Sequence, residues 1–414
     1  MNPYEEPTSN ITEFLRNTLK IDKLKRLKEF IDSTNEVDFK FEPTTTDLPD
    51  EIEFQCPLIS AAVFYNAVKC FDLLAESGAK LTAHDSWLCT LLHQAARLGR
   101  IHIFTNPHCE NLNFASCDWR GRQPIHYAAE FNHLECVKFL VENKNIDINS
   151  VDKFGMTPLH VACEVGNIET IHYLVEKSAE MKQDKLGRTP LELAAVKGQI
   201  EVLRAFASKN SSLLLAKNDQ NRNLAHFAAL SGFPEEIEFL TTIPEIDFNQ
   251  IDAFGMAPIH NAAEHNYANA VHSLLAANSI NRDIRSKPND NSPLHIAAEY
   301  GANEAVEALI SSDAQINNVA NVENQSALHL AAQNGHGIVV QTLMNAGLDP
   351  NLIDRNGRSP REMAHGCYAE NIIKCLNGQK QNFSNIRQPE PYPRLTNPPV
   401  LEQPQQTTSI CQIA

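Results

Sequence analysis

Short apolar stripes at helical spacing run through most of the chain. Leu134, Val137, Leu140 and Val141 form one, and Ile168, Ile171, Leu174 and Val175 form the next; each predicts a helix with one buried face. Ahead of each stripe stands a shorter apolar block of the type Thr157-Pro158-Leu159-His160-Val161-Ala162. Its histidine recurs at His93, His126, His160, His226, His260, His295 and His329, and Glu192 takes that register between His160 and His226. Successive register steps are 33, 34, 32, 34, 34, 35 and 34 residues. Extended outward, the register reaches Ser60 and Glu362, which gives about ten repeats between residues 56 and 376. The pattern predicts an all-α solenoid of stacked helix-turn-helix hairpins with protruding, β-hairpin-like fingers.

Each recurring residue has a mechanical reason. Pro124, Pro158, Pro190, Pro258, Pro293 and Pro360 stand where a first helix begins and a missing N–H costs nothing. Six positions past the register come Gly99, Asn132, Gly166, Gly198, Gly232, Asn266, Gly301 and Gly335, residue types that accept the left-handed backbone of a helix end. Between hairpins, Asp-x-x-Gly recurs at Asp118, Asp152, Asp184, Asp252 and Asp354, which is turn chemistry. Taken together these motifs resemble the ankyrin-repeat family over about three quarters of the chain. That resemblance implies a curved solenoid that binds other proteins on a concave surface and has no common catalytic activity. Segments such as 292–300 and 326–335 are also similar to the repeat array of ankyrin-type transient receptor potential channels. The alternative to a free scaffold is therefore a fragment or short isoform of such a channel's cytosolic region.

The candidate partner surface has two parts. Trp119, Phe154, Leu186 and Phe254 place apolar groups inside finger turns that ordinarily face water. Four and five positions past the register, Glu130 and Phe131, Glu164 and Val165, Glu264 and His265, Glu299 and Tyr300, and Gln333 with Asn334 are predicted to line the groove. Aromatic anchors are enriched in binding hot spots, and carboxylates beside them favour a protein partner with basic and apolar residues.

Charge narrows the classes of partner. With 35 Lys+Arg against 51 Asp+Glu the net charge is −16, and the repeats carry no basic stripe, so the sequence argues against nucleic-acid binding. The basic cluster Lys20, Lys23, Lys25, Arg26 and Lys28 reads as the solvated face of a terminal helix. No basic segment followed by an apolar run opens the chain, and no stretch approaches about 20 apolar residues. Scattered cysteines such as Cys70, Cys136 and Cys163 stand at helix positions and read as reduced thiols. The expectation is a cytoplasmic monomer.

Evenly spaced histidines suggest a metal, but packed helices stand roughly 8 to 10 Å apart whereas zinc ligands lie about 2.1 Å from the ion. The predicted role is structural, an imidazole tying finger to hairpin. No phosphate loop, nucleophile elbow or His-Glu-x-x-His helix is present, so the sequence predicts neither an enzyme nor a cofactor.

Three regions result. Residues 1–56 read as an N-terminal helical cap, with Asn10 and Glu13 as a capping box, and a long acidic connection. Residues 57–376 hold the repeats, with a doubtful second helix around Thr105-Asn106-Pro107. Residues 377–414 are polar and proline-rich, predicting disorder. The final Cys411-Gln412-Ile413-Ala414 fits the prenylation pattern, making Cys411 a candidate for farnesyl transfer and weak, reversible membrane contact.

Overall fold

The computed structural model describes residues 8–41, 56–277, 279–312, 320–365, 369–379, 381 and 383. The contacts divide the chain into two units, Met1–Asp219 and Gln220–Ala414. In the first, the helices Leu58–Phe64, Leu91–Arg97, Pro124–Glu130, Pro158–Val165 and Pro190–Val196 stack in series. Each is followed by a second helix: Val68–Glu76, Ile101–Phe104, Leu134–Glu142, Ile168–Glu176 and Ile200–Asn210. The second unit repeats the arrangement with first helices Leu224–Ser231, Pro258–Glu264, Pro293–Glu299, Ala327–Gln333 and Pro360–Met363. Their partners are Pro234–Thr241, Ala268–Leu275, Asn303–Ser311, Gly337–Asn345 and Ala369–Leu376. The fold is an all-α solenoid of helix pairs. Its fingers are turns, since isolated bridges at Lys40 with Pro57 and His84 with Thr90 are the only β pairing among the described residues.

The six prolines of the motif each occupy the first helical position. All eight glycine and asparagine positions six past the register have positive φ, from 56° at Asn132 to 90° at Gly166. Gly232 shows a second reason for the choice: at φ 75° its Cβ would come 2.6 Å from the Tyr267 ring of the next repeat. Residues seven past the register reach backward. His133 Nε2 donates to the Arg97 carbonyl at 2.9 Å, Asn167 Nδ2 to Ala129 at 2.8 Å and His336 Nε2 to Glu299 at 2.9 Å. These bonds satisfy carbonyls that a helix C-terminus leaves without an intrahelical partner.

The register histidines tie finger to hairpin as expected, and the finger they reach is that of the next repeat. His160 Nδ1 accepts the Thr157 amide at 3.1 Å, which fixes the proton on Nε2. That nitrogen donates to the Arg188 carbonyl of the next finger at 3.1 Å. His93, His126, His226, His260, His295 and His329 make the same forward bond, to Arg122, Met156, Met256, Asn291, Gln325 and Arg358. At Glu192 the carboxylate accepts the Thr189 amide at 2.7 Å and completes a capping box instead.

Two local departures matter. The repeat after His93 has a second helix of four residues, Ile101–Phe104, then a 3-10 turn at Pro107–Cys109, the irregularity expected at Pro107. The repeat of Glu192 extends its second helix to 11 residues and adds a 3-10 turn, Ser211–Leu215, that buries Leu214; the sequence reading had no place for it. At the N-terminus two helices, Thr8–Lys20 and Leu24–Thr34, cover the first repeat through Leu15, Leu19, Leu27 and Phe30. The first begins at Thr8, so the capping box expected at Asn10 is not the helix start. Phe383 is buried against Gly337, although it falls within the stretch read as a disordered tail.

Candidate interaction surface

Finger turns are built by their aspartates. Asp152 Oδ1 accepts the amides of Phe154 at 2.8 Å and Met156 at 2.9 Å, and Asp118, Asp184, Asp252 and Asp354 do the same in their turns. The side chains between aspartate and glycine are thereby held outward. Phe254 is 59% exposed, with the Arg222 guanidinium 5.1 Å from its ring centroid. Phe154 differs: it is half-buried against Met156, Val161 and Leu193. Trp119 is also half-buried and packs against Trp87, with the rings tilted and their centroids 5.0 Å apart. Sequence reading missed Trp87 because its turn, Asp85-Ser86-Trp87-Leu88, has no glycine; Leu88 itself adopts φ 60°. The 33-residue step from Asp85 to Asp118 was the available signal.

The first-helix glutamates fall into two groups. In the first unit, Glu130 pairs with Arg122 at 2.8 Å and Glu164 with Lys197 at 3.0 Å. Phe131 is 41% exposed and lies under the Arg97 guanidinium at 5.2 Å. In the second unit, Glu264 and Glu299 have no ion-pair partner among the described residues. Glu299 is pushed above the usual carboxylate range, first by burial and then by the charge of Glu264; the Asn291 amide donates to it at 3.3 Å. Tyr300 follows Glu299, half-buried, and His265 stacks on Tyr267 at 5.8 Å. The structure thus brings Glu264, Glu299, Tyr300 and His265 onto one first-helix face with negative charge left uncompensated. Cys411 lies outside the described residues.

Other ionisable groups are structural. Burial drives the imidazoles of His126, His226, His260 and His295 down to about 4, and those of His93, His160 and His329 downward. Glu236, 1% exposed, has neither carboxylate oxygen hydrogen-bonded and is pushed up to about 8 by burial and then by Glu235. The described cysteines are free thiols, and burial raises Cys70 and Cys136 to about 12. Among the described residues no His, Cys, Asp and Glu group could hold a metal, and no helix is long and apolar enough to cross a membrane.

A family model described as ankyrin repeats matches residues 58–152, 125–216, 225–320 and 294–385. The chain belongs to the ankyrin-repeat family. Ankyrin repeats are protein-interaction modules, and the helix pairs, forward histidines and glycine stops above are that module's working parts. The chain is 34% identical over 161 residues to transient receptor potential cation channel subfamily A member 1 of Homo sapiens, covering 35% of this chain and 14% of that protein. It is 27% identical over 212 residues to the B-cell lymphoma 3 protein homolog of Mus musculus, covering 42% of this chain and 46% of that one. The crystal structure of the Bcl-3 ankyrin repeat domain overlays with a TM-score of 0.47 at 26% identity, over 54% of this chain and 99% of that domain. The chain therefore spans less than half the length of these curated relatives.

Proposed function

We propose that this ankyrin chain is a non-catalytic scaffold that holds a protein partner on the first-helix face of its second unit. The supporting observation is the placement of Glu264 and Glu299 at the ends of the packed first helices Pro258–Glu264 and Pro293–Glu299, neither with an ion-pair partner among the described residues. In the first unit the equivalent carboxylates are already neutralised by Arg122 and Lys197. A partner that brings Lys or Arg relieves the repulsion, and apolar side chains beside those cations meet Tyr300 and the stacked His265 and Tyr267. Phe254, exposed at a finger tip of the same unit, extends the surface on which a partner is selected. The same reading places the scaffold in the cytoplasm as a monomer, with Cys411 as a prenyl acceptor giving partial membrane contact.

The test is anisotropy of a fluorescein-labelled (Lys-Leu-Ser)5 peptide titrated with the full chain. Glu264→Lys with Glu299→Lys is expected to weaken binding at least tenfold at unchanged helical content. Equal binding by the double variant removes the site from this face. A second reading, the cytosolic region of a transient receptor potential channel, is favoured by the 34% identity to such a channel over 161 residues. A transcript that continues from the repeats into a pore domain supports it, and a stop codon after Ala414 in every transcript excludes it.

A further inference from the structure

The tips of the first unit form a second surface, opposite in sign to the Glu264 and Glu299 pair. Four consecutive fingers are tied tip to tip through the backbone. The Trp119 amide donates to the Trp87 carbonyl at 3.0 Å, Lys153 to Arg120 at 2.8 Å and Lys185 to Phe154 at 2.8 Å. The intervening amides of Arg120, Phe154 and Leu186 donate to Asp118, Asp152 and Asp184. These backbone donors are spent, so a ligand cannot add here as a β-strand and must be held by side chains.

Those side chains come in pairs, one cation beside one apolar group at each tip. Trp119 stands next to Arg120, Lys153 next to Phe154 and Lys185 next to Leu186. The Arg120 guanidinium lies 4.8 Å from the Trp119 ring centroid, Lys153 and Lys185 are exposed, and Leu186 is 56% exposed. The carboxylates of the same turns, Asp118, Asp152 and Asp184, are buried and bound to turn amides. The finger ion pairs use Arg122 and Arg188, leaving Arg120, Lys153 and Lys185 without a carboxylate partner among the described residues. In a chain of net charge −16 this is a basic, aromatic ridge.

Stacked helices repeat at about 8 to 10 Å. A polyproline II helix turns once every three residues, rising about 9 Å, so one of its faces returns in step with the fingers. We propose that the ridge binds an acidic protein segment in polyproline II conformation. Its carboxylates meet Arg120, Lys153 and Lys185, and its apolar side chains meet Trp119, Phe154 and Leu186. The proposal rests on different residues from the first-helix site and stands or falls separately.

Both tryptophans of the chain, Trp87 and Trp119, lie on this ridge, so intrinsic tryptophan emission reports occupancy there and nowhere else. The experiment titrates the full chain with (Glu-Leu-Pro)5, (Lys-Leu-Pro)5 and phosphatidylserine vesicles. A saturable emission change with the acidic peptide alone is expected. It should weaken at least tenfold in the Arg120→Glu, Lys153→Glu, Lys185→Glu variant and persist in Glu264→Lys with Glu299→Lys. An equal response to the basic peptide, a response to vesicles without one to the acidic peptide, or no response to any probe overturns the proposal. Circular dichroism of the triple variant must match the parent; if it does not, Lys153→Gln with Lys185→Gln replaces it, with at least a threefold loss expected and unchanged binding overturning the proposal.

Discussion

His160 donates its Nε2 proton to the carbonyl of Arg188 at 3.1 Å, joining one repeat to the finger of the next. The bond requires a neutral imidazole whose Nδ1 stays free to accept the Thr157 amide. Protonation would turn that acceptor into a donor facing another donor, inside a buried site. The same arrangement recurs in both units, so neutrality of these histidines is a condition of folding.

Acid should therefore unfold the protein early. For a histidine lowered from 6.5 to about 4, the unfolded chain binds the proton first, so its contribution is full above pH 6.5 and is lost as pH falls toward 4. Each such histidine costs up to about 1.4 kcal/mol per pH unit in that window. Glu192 and Glu236, raised to about 7 and 8, act oppositely, and four strongly shifted histidines outweigh two carboxylates. Urea midpoints should peak near pH 6 to 6.5 and fall steeply by pH 4.5. A flat profile across that range contradicts the buried neutral network.

Glu236 should be replaceable at a gain. Its register position holds Cys136, Thr170, Val202, Ala270, Ala305 and Val339 in other repeats, all buried. A carboxyl raised from 4.5 to about 8 loses stability as pH rises through that interval, because the unfolded chain ionises freely. Glu236→Ala should raise stability at pH 8 by roughly 1 to 3 kcal/mol, with the gain shrinking toward pH 4.5. Thermal melts at both pH values measure it; equal melting at pH 8 refutes it.

Two glycines with nearly the same φ should respond differently to alanine. At Gly187, φ 73°, a Cβ meets nothing within 4 Å, so only the left-handed backbone strain of about 1 kcal/mol is incurred. At Gly232, φ 75°, it also meets the Tyr267 ring at 2.6 Å, and the neighbouring repeat must shift. Gly232→Ala should lower the melting temperature clearly more than Gly187→Ala. Equal losses would mean that contact between repeats does not depend on this close approach.

Most of the scaffold was legible because it repeats: the proline starts, the glycine stops and the forward histidines are local chemistry copied along the chain. The division of the glutamates was less visible, because an ion-pair partner comes from elsewhere in the repeat. A signal existed nonetheless. The residue five past the next register is Lys197 after Glu164 but Tyr300 after Glu264 and Asn334 after Glu299; the same rule gives Val165 after Glu130, whose partner Arg122 comes from its own finger, so only the Glu164 pair was legible in this way. Trp87 was hidden by a turn without glycine, and the burial of Glu236 by a residue type that normally faces water.

A partner seated on the first-helix face of the second unit shields the backbone amides beneath it. Hydrogen exchange of the full chain, with and without saturating (Lys-Leu-Ser)5, tests it directly. Slowed exchange is expected in Pro258–Glu264 and Pro293–Glu299, with Ala268–Leu275 and Asn303–Ser311 unchanged. Protection confined to those second helices, or none in the first helices, contradicts it.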